Sequence, residues 1–233
     1  MGKKNILARY ALFIFGLYIM AIGIVLIVKC ALGTTPIASL NYVLSVNTSL
    51  SLGVWTFIFN VVLIIAQLFL LGKCISSKDK LEILLQIPLS FVFSFFLDLN
   101  MLLFEELRPT RYAVCLVWLL SGCLIQSLGM SLALKPRVAL LSADAVVRYV
   151  SERYKQKFSL CKIAFDIVLV TLAVITSILF TRTVQGVREG SLIAACINGF
   201  IVSFLSTKVI TRRNIRRIRQ LVLSPINIKL SNW

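Results

Sequence analysis

The chain has 233 residues, 59% hydrophobic and only 15% charged, with a mean hydropathy of +0.93. Soluble domains run nearer to about 45–50% apolar and about 25% charged, so a soluble globule is excluded and a polytopic membrane protein is expected. The formal charge is +16 and there is no histidine; we read the charge as membrane orientation, and the missing imidazole argues against zinc or histidine-based catalysis.

An apolar window of about 20 residues crosses a bilayer core of about 30 Å as a helix. The first such run, Ile6 to Val28, is too long for a cleavable signal of about 7–15 apolar residues, and it is kept as span one. After it, Gly33-Thr34-Thr35-Pro36 offers a cap and a proline at the first helical position, followed by Ile37, Leu40, Val43 and Leu44 at helical spacing. A short re-entrant or interfacial helix is predicted there. Spans two to four follow at Leu50 to Gly72, Leu81 to Phe104 and Tyr112 to Leu134. Ser142-Ala143-Asp144 then precedes Val146, Val147, Val150 and Tyr154, a second short helix of the same kind. Spans five and six are predicted at Ser159 to Phe180 and Ser191 to Ile210.

The tail from Thr211 to Leu223 interleaves Arg212, Arg213, Arg216, Arg217 and Arg219 with Ile215, Ile218, Leu221 and Val222. As an amphipathic helix it suits the anionic inner leaflet, and it lacks the aromatic residues that stack nucleic-acid bases, so lipid is the expected partner and nucleic acid is not. The six cysteines are scattered, mostly within apolar runs and without a paired spacing, and read as packing residues.

With six spans, both termini and the even connections share one face. That face carries nineteen Lys and Arg, the other five, and Lys162 is left inside span five. The positive-inside rule then places both termini in the cytoplasm.

Sliding the chain by 106 positions matches Gly16 to Gly122, Gly23 to Gly129, Lys29 to Lys135, Phe59 to Phe165 and Asn60 to Asp166. A repeat of three spans is odd in number, so its copy must start on the opposite face. The expected fold is therefore all-α, with six transmembrane helices in two inverted three-helix repeats, residues 1–104 and 105–210, and a cytoplasmic tail at 211–233. Each repeat carries a short helix after its first span. That is a plan used by secondary transporters.

Leu32-Gly33 with Pro36, the Ser51 to Thr56 entry to span two, Asp98, and the Lys162 to Asp166 turn resemble the YczE/YyaS/YitT group of bacterial integral membrane proteins, over about residues 9–210. The resemblance implies the bacterial cytoplasmic membrane and no shared activity. The chain departs from the group's pattern at Ala38, where an Asp is often found, and at Ser142 and Ala143, where Pro-Arg usually precedes Asp144. An anion or head-group site built on those absent residues is not carried over.

Ionisable groups in an apolar span cost about 2.5–3.5 kcal/mol each on insertion scales, so those retained need a partner, a cavity or a function. Lys162 and Asp166 are four apart and can pair. One reading has Lys162 snorkel to the edge with Asp166 neutralising it. The other makes Asn60, Asp98, Asp144, Lys162 and Asp166 a substrate site between the two short helices, whose N-terminal dipoles favour an anionic group. The expected function is accordingly a small-molecule transporter or permease-like protein with no cofactor. The alternative is a non-transporting accessory or scaffold protein that holds a partner or anionic lipid through its basic tail. An enzyme is not expected, because no nucleophile–base pair or metal cluster is visible.

Overall fold

The computed structural model describes residues 3–71, 77–107, 109, 111–136, 138, 140–182, 186–188, 190, 191, 194 and 201. Among these lie seven helices and no strand: α1 Lys3–Lys29, α2 Pro36–Asn47, α3 Leu52–Leu71, α4 Ser77–Leu103, α5 Tyr112–Leu134, α6 Ser142–Arg153 and α7 Phe158–Thr181. Five of them, α1, α3, α4, α5 and α7, are long and apolar enough to cross a membrane. This architecture is consistent with a polytopic membrane protein. Of the predicted sixth span only Ser191, Ala194 and Ile201 are described, each helical; the rest of it, the tail arginines and Cys74 and Cys196 lie outside the described residues.

Helix α4 begins four residues before the apolar window that predicted it. Asp79 in its first turn faces the positive end of the helix dipole, so the helix extends into polar sequence that a hydropathy window ignores. Both short helices form. Helix α2 has Thr35 at its N-cap and Pro36 at its first position, whereas α6 has Leu141 at its N-cap and puts Asp144 in its first turn.

Helix α1 is the axis of the molecule, with 61% of its apolar window buried against 22% for α3 and 17% for α7. Phe13, Leu17, Ala21 and Val25, spaced four residues apart, pack with Phe93 and Leu97 of α4 and Ala133 of α5. The outer helices expose large apolar side chains such as Phe69 and Leu179, the composition expected of a lipid-facing surface.

The tightest packing joins α1 to α5. A Cβ on Gly16 would meet the backbone of Gly129 and Ala133, one on Gly23 the backbone of Gln126, one on Gly122 Ile27 and the Gly23 carbonyl, and one on Gly129 the backbone of Met20 and Gly16. Partner numbers fall along α5 as they rise along α1, so the helices cross antiparallel, and the four glycines let their backbones touch. Around this pair α2 packs on α7 and α3, α6 packs on α3 and α7, and α4 packs on α1 and α3. Cys30, Cys115 and Cys123 are buried free thiols, and Cys161 is a half-buried one.

Candidate functional site

Helix α7 carries Lys162 and Asp166 one turn apart, and α6 brings Asp144 to them from its first turn. Lys162 Nζ donates to Asp144 Oδ1 at 3.0 Å and forms an ion pair with Asp166 Oδ1 at 3.6 Å. Asp144 is buried, Lys162 and Asp166 are half-buried, and the ammonium also lies 5.8 Å from the centre of the Phe165 ring. Fully ionised, the trio carries one negative charge too many. Asp166 Oδ1 is buried and accepts no hydrogen bond. Such a cluster can take up a proton or draw in a cationic group, which would balance the excess carboxylate in a low-dielectric setting.

Of the five residues the sequence singled out, the structure brings together these three. Asp98 stands elsewhere, where it caps α3: its carboxylate accepts from Ser51 Oγ at 2.6 Å and from the Gly53 N–H at 2.7 Å. A carboxylate at a helix N-terminus is favoured by the dipole and by the unpaired amides of the first turn. A Cβ at Gly53 would strike the Ser94 carbonyl and the Asp98 carboxylate, so this position must be glycine. The rest of the Ser51 to Thr56 entry is bonded too. Trp55 Nε1 donates to Thr48 Oγ1 at 2.7 Å, and Thr56 Oγ1 donates to the Leu52 carbonyl and lies 3.4 Å from Asn41 Nδ2. Asn60 is half-buried on α3 and makes no side-chain hydrogen bond among the described residues.

Two polar groups were not singled out in the sequence. Gln67 of α3 and Gln86 of α4, both fully buried, exchange amide bonds at 2.8 and 3.0 Å, and Gln67 also donates to the Ser142 carbonyl at 3.2 Å. Arg148 of α6 reaches Glu82 at 3.3 Å, Asp79 at 3.8 Å and Glu152 at 3.7 Å, while Tyr149 Oη donates to Asp79 at 3.4 Å. Glu152 is one helical turn from Arg148, but Asp79 and Glu82 lie about 70 residues away in the chain and Gln86 lies 19 from Gln67, so only folding reveals those pairings.

At the other end of the molecule an open cleft of about 390 Å³ is lined by Val28, Ala31, Gly33, Thr34, Tyr42, Val46, Gly186 and Arg188. Gly33, at φ +124°, turns the chain out of α1 in a conformation other residues resist. The turn is fixed to the far half of the chain, with the Thr34 N–H donating to the Gly186 carbonyl and to Ser191 Oγ, each at 3.0 Å. Among the described residues no group of three or more His, Cys, Asp or Glu is placed to hold a metal ion.

Comparison with curated proteins and with solved structures yields no match. Residues 7–207 match the family described as a family of unknown function, DUF6198, and the chain belongs to that family.

Proposed function

We propose that this protein is a small-molecule carrier of the bacterial cytoplasmic membrane, built from two inverted three-span repeats with both termini in the cytoplasm, and akin to the YczE/YyaS/YitT group. The observation that carries the reading is the Asp144–Lys162–Asp166 cluster between the apolar helix α7 and the short helix α6, an expensive arrangement with one carboxylate in excess. The helix contacts support the repeat. The 106-residue offset turns α1 into α5, α2 into α6 and α3 into α7, and under it the α2–α7 contact becomes α6–α3 and the α2–α3 contact becomes α6–α7. Thr56 and Lys162 also exchange places, each lying opposite a polar side chain of its neighbouring short helix, Asn41 or Asp144.

The charge of the cluster favours a proton or a cationic group over the anionic group expected from the helix dipoles alone. A thermal-shift screen of the full chain against amines, amino acids and organic acids tests this. A stabilising compound whose effect disappears in Asp166→Asn supports the carrier, and a panel without effect removes its main support. The accessory reading is favoured by one observation: Asp98 is engaged in capping α3, remote from Asp166 in its contacts.

A further inference from the structure

The 106-residue offset pairs two features of opposite character. Tyr42, Val46 and Arg188 line the open cleft of about 390 Å³. Their counterparts are Arg148, Glu152 and Glu82, which are drawn together by ion pairs of 3.3 and 3.7 Å from the Arg148 guanidinium. Asp79 adds a third carboxylate at 3.8 Å and accepts from the Tyr149 hydroxyl. One turn deeper, α4 is joined to α6 by Ser90 and Ser142, whose hydroxyls lie 3.3 Å apart, and to α3 by the Gln67–Gln86 pair, with Gln67 also donating to the Ser142 carbonyl. Behind these contacts remains space of only about 10 Å³, beside Gln86, Ser90 and Ser142. The same element is thus closed by ion pairs around Arg148 in one half, while in the other Tyr42, Val46 and Arg188 border a cleft, the Arg188 side chain donating to the Ala31 carbonyl at 3.2 Å.

We infer that Arg148, with Glu82 and Asp79, is the inner gate of the carrier, and that the structure is its outward-open state. The inference rests on the proposed inverted repeat and carrier function. Arg148 lies one turn beyond Asp144 on α6, so the gate and the Asp144–Lys162–Asp166 cluster are carried by the same short helix. Rocking one repeat against the other opens this side and closes the Tyr42–Arg188 side, because pseudosymmetric halves exchange conformations. Breaking the ion cluster removes contacts made in one state alone, and so shifts the populations.

The test uses the full chain in membrane vesicles, a membrane-impermeant maleimide and peptide mass spectrometry to read each position separately. Ser90→Cys reports behind the gate and Val46→Cys reports in the open cleft. Arg148→Gln is expected to raise labelling at position 90 from the cytoplasmic side about 5-fold and to lower labelling at position 46 from the outer side, with Glu82→Gln acting in the same direction. The charge-swapped pair Glu82→Arg with Arg148→Glu is expected to return both positions toward the parent values. Unchanged labelling at both positions in Arg148→Gln and Glu82→Gln overturns the gate. A rise at position 90 with no fall at position 46 also overturns it, since the cluster is then only a local tie. Either result leaves the ligand response of Asp166 standing, so failure of the gate is distinct from failure of the carrier.

Discussion

Lys162 is held between two carboxylates, one on α6 and one on its own apolar helix, so its worth lies in what its loss would expose. Lys162→Met leaves the buried Asp144 and the half-buried Asp166 without a counter-charge and is expected to destabilise the fold by about 3 kcal/mol. Adding Asp144→Asn to it should recover part of that loss, read as thermal denaturation in detergent. The Lys162–Asp166 pair was legible because four residues make one helical turn. Asp144 was named for the same site, but its bond to Lys162 was not legible, because it arrives from another helix 18 residues away. Asp98 shows the same limit: an acid near a span end signals expense, but its capping role depends on Ser51 and Gly53, at separations of 47 and 45 residues.

Tyr149 gives a prediction in pH. Burial, opposed by Arg148 and reinforced by Glu82 and Asp79, pushes its hydroxyl from an ordinary value of 10 up to about 12. A raised folded-state value means that the neutral phenol is favoured by folding. That contribution is complete below pH 10 and is lost as pH rises through about 12. Tyr149→Phe should therefore flatten the fall in melting temperature between pH 10 and 12, and an unchanged slope would count against the assignment.

At the scale of elements, the crossing of α1 and α5 rests on Gly16, Gly23, Gly122 and Gly129. Glycines at seven-residue spacing in both helices have no propensity advantage in a helix interior, and close packing is the reason for them. Gly129→Ala places a methyl against the Met20 backbone, which a rigid helix cannot give way to. We expect a loss of about 1–3 kcal/mol, as for overpacked cores. Leu128→Ala, one position away at a more exposed side chain, should cost much less. Hydropathy located the five long helices, and cap residues with helical spacing located both short ones. It could not foresee the Gln67–Gln86 pair, because each glutamine alone reads as an isolated polar residue in an apolar run and only the partner explains its retention.

For the molecule as a whole, the proposed inverted repeat explains why two positions 106 residues apart should differ in which side of the membrane they see. Val46 at the open cleft and Glu152 at the end of α6 are such a pair, and both side chains are well exposed. The most direct measurement is site-resolved maleimide labelling of Val46→Cys and Glu152→Cys in intact cells and in inside-out vesicles. The account predicts that position 46 reacts in intact cells and position 152 in inverted vesicles. Reaction of both positions from the same side would contradict it.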